Sequence, residues 1–489
     1  MSFAQRSHTC GEIRAEHAGQ TVVLNGWAHK VRDLGGVTFV DLRDRSGLVQ
    51  LLIDPAKLDP KDIRNECCLS LEGVVRLRSE QTRNPKMPTG DVEIEVTGFQ
   101  ILSAAKPLPF PVSDEDQMNS VNEELRIKYR YLDLRRPSMS KKFALRAAAI
   151  RKMRQYLDDR GFTEIETPIF TKSTPEGARD YLVPYRLEPG KFYALPQSPQ
   201  QYKQMLMVAG LERYYQVARC FRDEAQRADR QPEFTQLDLE MSFVKQEDIL
   251  ELIEGLCVNV TNELNQEFDL GLQEVEPFFR LTYQESMERF GCDKPDLRFG
   301  LELFDVSDVV AGSGFGVFSG AVEAGGKVRG VRYPGGIVLS RKDVSGLEDF
   351  CKEFGAKGMA SFYVARSADD GEGVMALPNG MFVRGGCSKF LSEAELVGIL
   401  TAAQAEPGDL LCFIADEYSA GNNVLYRLRV EIGERCGLRD PKILRFGFVL
   451  DFPLVEWNPE GNRWDSVHHP FTSPKAEDLH LLDSDPGKV

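Results

Sequence analysis

At 489 residues the chain is too long for one hydrophobic core, so about three domains are expected. Apolar content of 42% with 28% charged residues fits a globular protein, and no apolar run approaches the roughly 20 residues that span a bilayer. The net charge of −15 excludes a uniformly basic, polyanion-coating protein, yet it is unevenly spread: residues 1–109 carry 14 basic and 14 acidic side chains, residues 119–160 carry 12 against 5.

Residues 20–106 read as five short strands, Thr21–Trp27, Val37–Asp41, Val49–Ile53, Gly73–Leu77 and Val92–Val96, with turn signals such as Leu34-Gly35-Gly36 between them. Such a pattern suits a small barrel of the oligonucleotide-binding (OB) type, and an SH3-like barrel nearly as well. Phe39 on such a surface can stack on a splayed base. Pro107-Leu108-Pro109-Phe110-Pro111 breaks regular structure, and a charged connector runs to Arg136-Pro137. From Ser140 the spacing predicts a helix with Phe143, Ala147, Ile150, Met153 and Leu157 on one face and Gly161 ending it. A strand over Phe162–Phe170 is interrupted by Pro168, which places it at an edge or chain–chain junction. A helix over Gln200–Ala209 precedes strands at Tyr214–Cys220 and Phe234–Phe243. Between 291 and 424 the glycine-rich texture reads as an inserted domain, and Leu444–Val455 reads as a buried central strand.

Several fragments carry little. Gly312-Ser-Gly314-Phe-Gly316 lacks the last glycine of a dinucleotide loop, and Gly325-Gly326-Lys327 is followed by Val328 where a P-loop needs Ser or Thr. Ser138 and Ser140 are expected to cap the helix that follows. His468-His469 are adjacent, so on a strand they face opposite ways. The ten cysteines form no C-x-x-C, which points to reduced thiols and no zinc. The N-terminus lacks an apolar leader, so a cytoplasmic protein is expected.

The informative block is Tyr214–Glu224 followed by Arg230–Asp238, a strand, a charged loop and a second strand. An arginine at its base can hold a phosphate as a fixed fork, a carboxylate can accept from an exocyclic amine, and a phenylalanine can stack on a purine. By spacing alone a surface hairpin with salt bridges explains it equally well.

Phe221-Arg222-Asp223-Glu224 resembles motif 2 of class II aminoacyl-tRNA synthetases, and Phe162–Pro168 after the long helix resembles motif 1. Thr174–Asp180, Gln197–Lys203 and Arg227–Asp238 are similar to stretches of aspartyl-tRNA synthetases. Tyr129–Arg136 and Asp451–Glu456 resemble the bacterial form, as does the insertion, which is similar to its GAD domain. The resemblance covers nearly the whole chain. It implies an α+β multidomain fold: an OB-fold anticodon-binding domain at 1–108, a hinge at 109–139, a class II antiparallel-sheet core at 140–290 and again at 425–489, and a GAD-like insertion at 291–424.

By the same resemblance, ATP would meet Arg222 at its α-phosphate, Glu224 at the adenine amine, Phe234 stacked on the ring and Gln231 nearby, with Arg222 also catalytic. Substrate aspartate would meet Glu176, Ser198, Gln200 and Asp238 at its ammonium, His468 beside them, and Lys203 at its side-chain carboxylate. Phe39 would stack on the tRNA anticodon, with Arg32, Gln50 and Glu93 reading base edges or phosphate, and Pro168 would lie at a homodimer interface. The implied partners are ATP with Mg²⁺, L-aspartate and tRNA-Asp. The Mg²⁺ ligands and motif 3 of the family are expected beyond Val489, which implies a truncated chain, inactive alone, with a non-catalytic tRNA-binding fragment as the alternative. Family members that also charge tRNA-Asn often carry a histidine near position 34, so Leu34 implies a discriminating enzyme.

Overall fold

The computed structural model describes residues 3–174, 177–225, 230–468 and 472–489. The chain divides into two compact units, Met1–Ala147 and Ala148–Val489. Among the described residues no helix is long and apolar enough to cross a membrane.

In the first unit, strands β1 (Thr21–Asp33), β2 (Thr38–Arg43), β3 (Leu48–Ile53), β4 (Cys68–Leu77) and β5 (Val92–Ser103) close a barrel in the order β1-β2-β3-β5-β4. Apolar residues alternate along each strand, so Val22, Leu24, Val40, Leu42, Val49, Leu51, Leu71 and Ile94 fill one interior. Polar side chains at the intervening positions face outward. The barrel continues into three short helices, α1 (Glu115–Asn119), α2 (Glu123–Lys128) and α3 (Arg130–Asp133). They enclose Asp133, whose carboxylate is fully buried; Arg136 lies 2.9 Å away and Arg130 also bonds it. A carboxylate withdrawn from water this far stays ionised only when paired.

Helix α4 (Pro137–Asp158) starts three residues earlier than its spacing predicts. Proline fits a first helical turn because that amide needs no partner. Ser138 and Ser140 are therefore inside the helix and are not its cap; the Ser138 N–H donates to Glu115 Oε1 at 2.9 Å. The expected apolar face is also only half right. Leu157 is buried and Met153 packs beside it, but Phe143 is 54% exposed.

In the second unit, β6 is only Thr163–Glu164, and Pro168 lies in irregular, exposed chain beyond it. The long strand expected over Phe162–Phe170 does not form. β7 (Leu182–Pro184) pairs with β8 (Phe192–Ala194), and α5 (Gln200–Val208) leads to the hairpin of β9 (Arg213–Phe221) and β10 (Glu233–Met241). β6 pairs parallel to β9, giving the order β10-β9-β6. Helix α6 (Gln246–Phe268) covers this sheet through Leu256 and Val260, packed with Tyr156, Leu157, Phe162 and Tyr215. β11 (Phe279–Thr282) and α7 (Tyr283–Phe290) follow.

The insertion is a six-stranded sheet in the order β12-β13-β17-β14-β16-β15: β12 (Phe304–Asp305), β13 (Lys327–Tyr333), β14 (Ala360–Ala365), β15 (Val374–Ala376), β16 (Phe382–Arg384) and β17 (Leu410–Asp416). Helices α8 (Ser307–Val310), α9 (Gly316–Glu323) and α11 (Glu393–Ala402) pack on one face through Val310, Phe318, Leu396 and Ile399. Helices α10 (Arg341–Glu353) and α12 (Tyr418–Arg435) pack on the other through Leu347, Leu425, Leu428 and Ile432. The insertion's core thus runs to Arg435, and the boundary expected at 424 falls inside α12. Arg429 of α12 is fully buried and donates to four carbonyls, those of Asp296, Phe299, Gly300 and Leu301, at 2.7–3.0 Å.

After the insertion come β18 (Gly447–Leu450), β19 (Val455–Asn458) and β20 (Arg463–Ser466). The apolar run Leu444–Val455 is not one buried central strand. Its extended part has four residues, one exposed and three half-exposed, paired parallel to β11, and Phe446 and Phe448 lie against Phe278. Asp451, at φ 57°, then turns the chain.

Candidate functional site

The β9–β10 hairpin pairs Phe234 with Cys220, Gln236 with Ala218, Asp238 with Gln216 and Glu240 with Tyr214. Because side chains alternate, Phe234, Gln236, Asp238 and Glu240 share one face of β10. At one end of that face the Arg222 guanidinium lies 5.1 Å from the Phe234 ring, within cation–π range. The Arg222 N–H donates to Pro232 O at 2.9 Å, which closes the base of the loop. A cleft of about 470 Å³ opens here, lined by Gly177, Arg222, Glu224, Gln231, Phe234 and His468, among others. All four residues expected to meet ATP are therefore together. Glu224 is held by Arg230 at 2.8 Å, a partner the sequence reading did not single out.

Four residues along β10 from Phe234, Lys203 Nζ reaches Asp238 at 3.0 Å and Glu240 at 3.3 Å, with its side chain 11% exposed. Burial raises the Asp238 pKa above the ordinary carboxylate value, and the Lys203 ammonium opposes that shift. A cation held by two carboxylates can receive a third carboxylate while the acids receive an ammonium, so the group suits a zwitterion bearing an extra acid. Gln200 opens α5 one turn before Lys203, and half-buried Ser198 lies in the turn leading into it. Glu176 lies outside the described residues. His468 lines the cleft at the Arg222–Phe234 end, edge-on to Phe452 at 4.4 Å.

Gln197 was missed as a working residue. It is 1% exposed, accepts from the Ala178 N–H at 3.0 Å and donates to Asp180 at 2.5 Å, so it fixes the Gly177–Asp180 segment beside the cleft. Glu240 was missed too, although its place two residues beyond Asp238 puts it on the same face.

On the barrel, Arg32 faces Phe39 across β1–β2 and forms a two-bond pair with Asp41, both at 2.7 Å. Arg32 also reaches Gln50 at 3.4 Å, and Gln50 donates to Glu93 at 3.2 Å. The four expected RNA-contacting residues thus form one outward strip, and Asp41, unforeseen, clamps its arginine. Among the described residues no three His, Cys, Asp or Glu side chains converge as metal ligands. None of the ten cysteines is joined in a disulfide.

Residues 122–488 match the family of tRNA synthetases class II (D, K and N), and residues 22–102 match the OB-fold nucleic acid binding domain. The chain belongs to the class II tRNA synthetases, with an N-terminal OB-fold and a class II catalytic core, and it is an aminoacyl-tRNA synthetase. Among its relatives, aspartate--tRNA(Asp/Asn) ligase of Moorella thermoacetica is 51% identical, the match covering 100% of this chain and 78% of that protein. Aspartate--tRNA ligase of Ruminiclostridium cellulolyticum is 47% identical over 99% of this chain and 79% of its own length. Asparaginyl-tRNA synthetase of Pyrococcus horikoshii, solved with asparaginyl-adenylate, shares the fold at 19% identity and a TM-score of 0.50, over 90% of this chain and 99% of that one.

Proposed function

We infer that this chain is an aspartate–tRNA ligase, acting in the cytoplasm on L-aspartate, ATP and tRNA-Asp. The observation that carries the reading is the shared face of β10, with Phe234 and Arg222 at one end and the Lys203–Asp238–Glu240 group at the other. Phe234 stacks on adenine, Glu224 accepts from its amine and Gln231 bonds nearby. Lys203 meets the side-chain carboxylate of aspartate, while Glu176, Ser198, Gln200 and Asp238 surround its ammonium and His468 adjoins them. An oxygen of the aspartate α-carboxylate then attacks the α-phosphorus of ATP. The new P–O bond forms as the bond to the β-phosphate breaks, and pyrophosphate leaves. Arg222 neutralises the charge that gathers on the α-phosphate and the attacking carboxylate. The ribose hydroxyl at the tRNA 3′ end then displaces AMP and takes the aspartyl group. In this family ATP is generally used with Mg²⁺, for which the described residues present no converging ligand set.

Phe39 stacks on an anticodon base while Arg32, Gln50 and Glu93 read its neighbours. Exposed Pro168, Ile169 and Phe170 support a homodimer face there. Leucine rather than histidine at position 34, at the tip between β1 and β2, supports restriction to tRNA-Asp, whereas the name of the Moorella relative points to both tRNAs. Aspartate-dependent ATP–pyrophosphate exchange and charging of tRNA-Asp by the full-length protein test the reading; exchange driven by asparagine or lysine instead would overturn it. Comparable charging of tRNA-Asn would overturn the discrimination alone. Phe39→Ala is expected to weaken tRNA-Asp binding about 5- to 150-fold, the worth of one stacked base, and to leave exchange unchanged.

A further inference from the structure

A second group of side chains on the barrel is not used by the proposed anticodon contacts. Strand β2 alternates, so Phe39, Asp41 and Arg43 share its outward face. Phe39 faces Arg32 across β1, and Arg43 faces Trp27. These two rungs are about 13 Å apart along the strand. Around the second lies a cavity of about 550 Å³, whose lining includes Trp27, His29, Arg43, Arg45, Lys86 and Arg135.

The walls of this cavity are firmly held. Arg43 gives two hydrogen bonds to Glu66, at 2.9 and 2.8 Å, and Arg135 gives one at 2.5 Å. The Glu66 side chain is 2% exposed, so one buried carboxylate fixes both arginines. Arg135 is thereby set 5.6 Å from the Trp27 ring. Arg43 also donates to His29 Nδ1 at 2.7 Å, which leaves Nε2 to carry the imidazole proton. Burial and then the Arg43 charge keep the His29 pKa below its usual value, so the ring is neutral at pH 7. Trp27 itself is 37% exposed, and among the described residues Arg45 and Lys86 have no ion pair.

An open indole beside unpaired cations and a neutral N–H donor matches one ligand chemistry. A base can stack on the ring, a phosphodiester can sit on Arg45 and Lys86, and the imidazole can donate to a sugar or base oxygen. The barrel's own class as a nucleic acid binding domain fixes the polymer type. We propose that this cavity is a second RNA subsite, taking an unpaired nucleotide of the bound tRNA away from the one stacked on Phe39. The inference rests on the tRNA-binding reading above.

The chain has three tryptophans, so Trp457→Phe with Trp464→Phe leaves Trp27 as the sole indole. Its emission would be titrated with tRNA-Asp while anisotropy of labelled tRNA reports binding independently. The expected result is saturable quenching of Trp27 with the same midpoint as the anisotropy. Trp27→Leu should weaken binding about 5- to 150-fold and Trp27→Phe should restore most of it. Replacing Arg45 and Lys86 together by alanine should lower the slope of log affinity against log salt by about two. If a Phe39-dependent complex forms with Trp27 emission unchanged and Trp27→Leu binding normally, this subsite is overturned and the tRNA reading stands. If no tRNA complex forms at all, both fall. A Trp27 signal that follows protein concentration without RNA assigns the cavity to a second copy of the chain and also overturns the proposal.

Discussion

Strand β17 of the insertion and strand β10 of the hairpin are of comparable length and lie in opposite surroundings. The first five residues of β17, Leu410–Ile414, are buried between two helical layers, whereas no residue of β10 is fully buried. A sealed strand can carry only apolar side chains or groups whose polar atoms are satisfied internally. A strand with one open face can hold Asp238 and Glu240 and still offer them to a ligand. The insertion therefore has a sealed interior, and the proposed chemistry sits where packing is incomplete.

The hardest test of that contrast is Arg429→Met. It would leave four partly buried carbonyls without their donor and remove a fully buried cation, at a cost of about 3 kcal/mol. Hydrogen exchange in β13 and β17 of the full chain is expected to accelerate accordingly while exchange in β9 and β10 is unchanged. Acceleration in the hairpin as well would mean the two regions are not independent. The converse change, Arg222→Ala, removes a charge-assisted contact at the proposed phosphate end. Pyrophosphate exchange should fall about 10²- to 10³-fold, with hydrogen exchange across the insertion unaltered. A smaller effect sharpens the picture through pH. Burial pushes the Asp296 carboxyl up, but hydrogen bonds from Arg298 and Arg439 outweigh it and bring the pKa to about 2. A lowered folded-state pKa contributes stability that is present above the unfolded value near 3.8 and is lost as pH falls towards about 2. Asp296→Asn should destabilise the insertion by about 1–2 kcal/mol at pH 7, after allowance for its partial exposure, and should flatten the stability profile between pH 4 and 2.

The parts legible in the sequence were those where spacing and chemistry agreed. Alternation in the barrel marked all five strands, although β1, β4 and β5 run five to seven residues beyond the expected bounds, and the Arg222–Phe234 cluster was found through its resemblance to motif 2, since spacing alone fits a salt-bridged surface hairpin equally well. Apolar runs were less informative. Leu444–Val455 looked like a buried strand, yet Asp451 turns the chain and its phenylalanines are consumed in ring packing with Phe278. Phe143 fell on the predicted helical stripe and is exposed, because periodicity says which residues share a face and not what covers it. Asp41, Gln197 and Glu240 were missed for a common reason: each acts by holding another side chain or segment, and its partner is distant in sequence or across a strand; Arg230 also acts by holding another side chain, Glu224, six residues away in the same loop.

The alternation of β10 has one more consequence. A pleated strand counts in twos, so Phe234 and Asp238 face the same way only while an odd number of residues lies between them. Loss or gain of a single residue there would send the Phe234 end and the Asp238 end to opposite sides of the sheet, whatever residues remained. Two residues would restore the facing but change the span by about 7 Å, too far for one small molecule to reach both ends. The strand is thus a ruler with coarse divisions. Substitution can alter what each end holds, but the distance between them can change only by steps the ligand cannot follow.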